Sequence, residues 1–330
     1  MLRTCVIGLG AAGRAHAAAY RGDERSRLVG VCDADPERAQ EAGARLGVPA
    51  FDDVGEMLEA VRPELVSACV SDDALTPVMQ ALERGCHVVC EAPLSPQLAQ
   101  AREMVAFARD RGLCLAADLN LRFTPAAIKA KEWIDQSRLG TLLFINAALW
   151  SSCSDDAGDA LLLRRLACHG LDMMRHLCGD IARLQCFAAE RPDRRGLSSA
   201  QVNLQFAANV VGNLTLSRDM PARHPLARWE VAGTIARLMV DDIYEEITLY
   251  PHAEEEKTVI TNSIFGGLGS YEDTYRCRLE RLLAQLAAGA APEAIEGSGE
   301  EALAAQVAVE AALESLERGD VVHLRGLDDV

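Results

Sequence analysis

Positive charge is scarce in this chain. Lys and Arg total 33 against 49 Asp and Glu, for a net charge of −16. That balance argues against nucleic acid or an anionic membrane as the main partner. It leaves an anionic cofactor open, because local amides and helix dipoles decide that. Paired cysteines are missing too. The eleven Cys form no CxxC, and most sit in apolar runs (Cys5, Cys32, Cys69, Cys90, Cys114). They read as reduced small hydrophobes of a cytosolic protein, and no metal is expected. No apolar run is long enough to span a bilayer, and Met1-Leu2-Arg3 leads straight into a strand. A cytoplasmic protein without a signal peptide is the expectation. No internal repeat or low-complexity tract appears. What is there is 330 residues, 49% hydrophobic and 25% charged, enough for two domains with real cores.

The most informative stretch is TCVIGLGAAGRAHAA, Thr4–Ala18. A short apolar strand runs into Gly8-Leu9-Gly10-Ala11-Ala12-Gly13 and then into an alanine-rich helix. That context raises a glycine pattern above chance. Gly8 suits a tight turn, Gly10 lets a pyrophosphate approach the backbone, and Gly13 lets helix and strand pack closely. The first-turn amides are unpaired at the positive end of the helix dipole and hold phosphate. An ordinary βα turn could need glycine as well. Leu28–Cys32 reads as a second buried strand ending at Asp33. An acid about 20 residues past the glycines suits the ribose hydroxyls of NAD. Asp33 or Asp35 could equally cap the helix that starts at Pro36. Arg38 nearby leaves NADP as the alternative cofactor.

Further helices over Pro36–Leu46, Val54–Ala60, Leu75–Arg84 and Gln97–Arg111 alternate with strands at Pro49–Phe51, Leu65–Val70, His87–Cys90 and Leu113–Ala117. The alternation predicts a doubly wound parallel sheet with ligands at the carboxyl ends of its strands. Beyond it, Leu142–Trp150, Ile181–Glu190, Gln201–Ala207, Val210–Ser217, Arg228–Ala232, Arg237–Asp241 and Ile247–Tyr250 read as strands. Helices over Tyr271–Ala288 and Gly299–Arg318 finish the chain, the second opened by a Ser298-x-x-Glu301 capping box. The expected fold is α/β: a Rossmann domain over 1–119, then an α+β domain over 120–330 with a large, mainly antiparallel sheet.

Six segments in order resemble the Gfo/Idh/MocA oxidoreductase family. They are GLGAAGRAH, VGVCDADPERA, ALERGCHVVCEAPL, NLRFTPAAIKAKEWIDQSRLG, RRLACHGLDMMRHLCGD and WEVAGTIARLMVDD. The resemblance implies NAD(P), a small-molecule substrate, and a homodimer or homotetramer formed through the second domain's open sheet. It also implies site residues. Members that oxidise sugar alcohols use a Lys in a Glu-Lys-Pro motif and an Asp-x-x-x-His pair on a helix. Hydride removal from a carbinol leaves a proton for a tuned base, and i, i+4 groups share one helical face.

This chain departs at two of those three positions. Ala92 stands for the Lys after Glu91, and Arg165 for the Asp four residues before His169. His169, and Arg165 holding an anionic or carbonyl group, are therefore the catalytic candidates. For His169, a packed core histidine is the competing reading. Where the family shows Thr-Pro-Asn-x-x-His, the chain has Ser71-Asp72-Asp73-Ala74-Leu75-Thr76. Two acids there either accept ribose hydroxyls or weaken binding by repulsion. Ser71, Asp72, Thr76, Glu91 and Asn120 join the glycine turn, Asp33 and Arg38 as cofactor candidates. Arg122, Trp150 and Asp172 are the substrate candidates; a salt bridge is the plainer role for Arg122. His169, Asp172 and His176 lie on one face, but divalent sites usually draw ligands from more than one element, and no metal is expected. The favoured function is hydride transfer on a small polar substrate (sugar-like, carbonyl or imine) with altered proton handling. A non-catalytic NAD-binding sensor is the alternative, and NAD-assisted elimination or hydrolysis a third.

Overall fold

The computed structural model describes residues 1–70, 73–151, 159–193, 196–220, 226–264 and 268–324. By contact it divides into two compact units: Met1–Asn120 with Ser270–Leu303, and Leu121–Gly269 with Ala304–Val330.

The first unit opens with β1 (Leu2–Ile7), α1 (Ala11–Gly22), β2 (Ser26–Cys32), α2 (Pro36–Leu46), β3 (Ala50–Phe51), α3 (Val54–Val61) and β4 (Leu65–Ala68). It continues with α4 (Leu75–Glu83), β5 (His87–Cys90), α5 (Leu98–Asp110) and β6 (Leu115–Ala117). The six strands are all parallel, in the order β3-β2-β1-β4-β5-β6. Most of their residues are buried, because helices cover both faces. The order reverses between β1 and β4, and that switch point is where such sheets bind ligands.

The second unit contains α6 (Pro125–Asp135), β7 (Leu142–Trp150), α7 (Asp159–Cys178), β8 (Ile181–Glu190), β9 (Leu197–Phe206) and β10 (Val211–Ser217). Then follow β11 (Ala227–Gly233), β12 (Ala236–Asp242), β13 (Glu246–Pro251) and β14 (Thr258–Thr261). The chain ends with α8 (Glu272–Ala287) in the first unit, α9 (Gly299–Arg318), and β15 (Val322–His323) in the second. The nine strands run β14-β13-β12-β11-β7-β10-β9-β8-β15. All pairs are antiparallel except β7 with β10. Alternation sets its two faces: Leu184, Val202, Leu204, Leu214 and Leu216 are buried, while Phe187 and Val211 are 56% and 53% exposed. Gly170 lets α7 lie close on the buried face, since a Cβ there would come within 2.8 Å of Leu214.

A single cut after residue 119 puts α8 with the second sheet. In the structure α8 belongs to the first unit, for a packing reason. Its Leu279, Leu282 and Leu283 share one core with Val6, Tyr20, Leu65 and Ala116. Buried Arg278 donates to the carbonyls of Ala117 (3.0 Å) and Gly297 (3.2 Å), tying α8 to the end of β6. The Ser298–Glu301 capping box forms: Glu301 N–H donates to Ser298 Oγ at 3.2 Å, and Ser298 N–H to Glu301 Oε2 at 3.3 Å. β9 starts at Leu197, four residues before the sequence pattern suggested, and the short edge strands β14 and β15 were not legible in it. Part of the reason is burial: β14 is largely exposed and lacks the alternation that marks a half-buried strand.

Candidate functional site

The glycine turn joins β1 to α1 and its three glycines answer to different constraints. Gly8 has φ +81°, and a Cβ there would sit 2.3 Å from the Cys69 carbonyl oxygen. A Cβ on Gly13 would lie 1.8 Å from the Gly8 carbonyl oxygen. Both are fixed by backbone packing. Gly10 has negative φ, and among the described residues nothing comes within 4 Å of its Cβ position. Packing therefore leaves open the space beside Gly10, through which a ligand could approach the backbone. Gly10 is also the N-cap of α1 and makes no side-chain cap. The amides of Ala11, Ala12 and Gly13 therefore lack intrahelical acceptors at the positive end of α1. Leu9, 1% exposed, anchors the turn in the core.

Asp33 ends β2 beside this turn. One of its oxygens accepts the Leu9 N–H at 2.7 Å; the other accepts the Asp35 N–H and Arg38 Nη2, both at 2.9 Å. Burial pushes its carboxyl up, but the Arg38 hydrogen bond and the two backbone donors outweigh it and hold the pKa below 3.8. Asp35 is the residue that caps α2, accepting from the amides of Glu37 and Arg38. The capping role is thus taken, and Asp33 instead ties the glycine turn to the end of β2. Arg38 is half-exposed and paired with Asp33. Thr76, in the first turn of α4, donates its hydroxyl to Asp73 at 3.1 Å. Ser71 and Asp72 lie outside the described residues. Glu91 stands at the end of β5, followed by Ala92, 1% exposed. Asn120 is fully buried, and its amide donates to Thr274 Oγ1 at 2.8 Å.

One group in this unit escaped the sequence reading. His16 on α1 is 1% exposed. Its Nδ1 lies 2.9 Å from Ser67 Oγ, which is 2.6 Å from the Tyr20 hydroxyl, and its Nε2 lies 3.2 Å from Asp118 Oδ2. Tyr275 of α8 packs its ring 5.4 Å from the imidazole. Burial disfavours the charged imidazole, but Cys69 and Asp118 outweigh it and keep the proton on well above 6.5. The last residue of the GLGAAGRAH motif was the only signal. Ser67, Asp118 and Tyr275 come from distant parts of the chain, so only the fold could bring them together.

In the second unit, α7 carries the other candidates. Arg165, His169 and His176 stay part-exposed, while Cys168, Leu171 and Asp172 are buried. Arg122, from the turn at Asn120–Phe123, meets Asp172 with Nε to Oδ2 at 2.9 Å and a second contact from Nη2 to Oδ1. Both side chains are 2% exposed. The structure therefore gives Arg122 and Asp172 to each other as a buried fork that fixes α7, and neither presents an open edge to a substrate. Trp150 closes β7 and is part-buried. Burial pushes the thiol of Cys5 up to about 12 and that of Cys114 to about 11, so these two stay protonated.

The uncapped glycine turn and the switch-point sheet are the features of a dinucleotide-binding fold. The chain belongs to the Gfo/Idh/MocA family: residues 2–119 match its oxidoreductase, NAD-binding Rossmann fold, and residues 127–239 its C-terminal domain. It is 36% identical over 155 residues to the D-glucoside 3-dehydrogenase of Escherichia coli (strain K12), covering 46% of this chain and 44% of that protein. This match thus spans less than half the length of that relative. The myo-inositol 2-dehydrogenase of Thermotoga maritima is 25% identical over 339 residues, covering 98% of each chain. An NAD binding oxidoreductase from Klebsiella pneumoniae has the same fold, with a TM-score of 0.88 at 24% identity over 98% of this chain and 99% of its own. No helix among the described residues is long and apolar enough to cross a membrane.

Proposed function

We propose that the protein is an NAD-dependent oxidoreductase of a small polar substrate, sugar-like or carbonyl- or imine-containing, with a proton path that does not use the family's lysine. The observation that carries this reading is the glycine turn, where packing requires Gly8 and Gly13 and leaves the space at Gly10 open to a ligand. The turn fits a pyrophosphate, and Asp33 fits the adenosine ribose; its carboxylate disfavours the added phosphate of NADP. NAD when bound supplies the hydride acceptor or donor.

The chain's own groups then divide the remaining work. The first-turn amides of α1 hold phosphate. His169 takes or gives the substrate proton, and Arg165, one turn earlier on α7, draws a carbonyl or anionic group toward it. The buried Arg122–Asp172 fork fixes the turn of α7 that carries His169. Ala92 leaves no cation at its own position, so the transferred proton must be handled by another group. The exposed sheet face around Phe187 and Val211 serves, in this reading, to join copies of the chain.

The test is anaerobic stopped-flow with a panel of sugars, polyols, carbonyls and imines, run on the wild type and His169→Ala. Turnover in the wild type, lowered about 10²–10⁴-fold in the variant with NAD affinity kept, is the expected result. Tight NAD binding with no turnover on any substrate would overturn the enzyme reading and leave a sensor.

A further inference from the structure

We propose that His16, Cys69 and Glu91 form a zinc-binding site in the first unit, completed by Asp118. One ligand atom from each of the first three lies within 4.8 Å of the other two. They come from α1, from the residue after β4, and from the residue after β5. Three elements therefore converge on one point, as a metal site requires and as neighbours on a single helix cannot.

Asp118 supplies the independent observation. Its side chain is fully buried, and its Oδ2 lies 3.2 Å from His16 Nε2, close to the spacing of two ligands on one metal. Its Oδ1 is buried with no hydrogen-bond partner. A buried carboxylate oxygen left unsatisfied is costly, and a cation relieves it. The donor set chooses the cation. Nitrogen, thiolate sulfur and carboxylate oxygen together suit zinc, whereas magnesium and calcium want oxygen alone.

The rest of the site is consistent with that use. Ser67, itself bonded to the Tyr20 hydroxyl, orients the imidazole through Nδ1 and leaves Nε2 facing Asp118. Such outer partners hold a ligating histidine in position. Cys69 and Glu91 are part-exposed, which gives the ion a way in. Zinc bonds of about 2.0–2.3 Å need the donors closer than they stand, and the side chains of Cys69 and Glu91 close by rotation. Zinc replaces the proton on the thiol and the proton on the imidazole nitrogen it binds, and both go to the buffer.

Cys69 and Glu91 also sit at the carboxyl ends of β4 and β5, beside the switch point. Zinc there occupies space the dinucleotide needs, so metal and cofactor exclude each other. This second statement rests on the NAD reading above; the metal site itself does not.

The experiment is a titration of the metal-free full chain with Co²⁺ alone, followed by displacement with Zn²⁺. We expect a near-ultraviolet thiolate-to-cobalt band and visible bands of a four-coordinate ion, both lost in Cys69→Ser and bleached by zinc. Glu91→Gln, at a part-exposed position, should keep the band and weaken Zn²⁺ binding at least about tenfold. Circular dichroism confirms that both variants are folded. A wild type without the thiolate band, or a Cys69→Ser variant that keeps it, overturns the site. Saturating NAD should weaken Zn²⁺ binding; NAD that binds and leaves zinc affinity unmoved refutes the exclusion. Failure of NAD to bind the metal-free protein defeats the cofactor reading, while the cobalt spectrum still decides the metal site.

Discussion

Gly10→Ala separates a phosphate cradle from an ordinary glycine turn. The added methyl meets nothing within 4 Å among the described residues, and φ at this residue, −62°, suits alanine. Alanine is a poorer N-cap than glycine, by roughly 0.5–1 kcal/mol, while the unfolded chain loses entropy worth about 0.4–1 kcal/mol in the other direction. The two nearly cancel, so the melting temperature should move by less than about 3 °C. Binding is another matter. A methyl between the backbone and a pyrophosphate prevents the approach that glycine allows, and NAD affinity should fall by at least about tenfold, or 1.4 kcal/mol. Gly13→Ala is the contrasting control. Its Cβ would start 1.8 Å from the Gly8 carbonyl oxygen, so α1 must retreat by about 1.4 Å. Neither partner is a side chain that can rotate away. The cost should reach about 3 kcal/mol, or roughly 6–12 °C in melting temperature, with NAD binding lost as well. Calorimetric titration with NAD and thermal melts of the three proteins decide the matter. A Gly10→Ala protein that binds NAD as the wild type does would refute the reasoning, whatever its stability.

Three further outcomes are expected. Asp172→Ala strands the buried Arg122 guanidinium and should lower stability by about 3–5 kcal/mol in urea, while the double change Arg122→Met, Asp172→Leu should recover at least half of that; a single-variant loss below about 1 kcal/mol would show that the fork does not anchor α7. Asp33 has its native pKa below 3.8, so its contribution is complete above the unfolded value and disappears as pH falls through the native one. Asp23 shares that direction through Arg25, so the readout is the difference between wild type and Asp33→Asn, which should shrink below pH 3.8; a difference that stays constant down to the acid limit would contradict the assigned shift. Ser298→Ala removes the cap of α9 and should cost about 1 kcal/mol in a thermal melt, and an unchanged melt would place the stability of that helix end elsewhere.

The order of elements in the first unit was legible because a buried parallel strand and an amphipathic helix carry local patterns. Leu65–Ala68 and Val88–Cys90 are buried throughout, and Gly47, with φ +70°, ends α2 where the sequence placed it. The glycine turn was legible for the same reason, since its pattern lies within six residues. The fork of Arg122 with Asp172 was only posed as a salt bridge, because the sequence names neither partner for the other across 50 residues.

By itself, then, the sequence determined that a strand, a glycine turn and a helix would follow one another, since backbone conformation and helix propensity act over a few neighbours. Tertiary structure decided what depends on distance. It set Gly10 apart from Gly8 and Gly13, because only packing shows which Cβ would collide. It assigned the cap of α2 to Asp35 and the tie to the glycine turn to Asp33. It carried α8 into the first unit, and it buried His16 beside Asp118 from 102 residues away. Those are long-range contacts, and the free energy of burial that selects them is a property of the packed chain, with no counterpart in any local stretch.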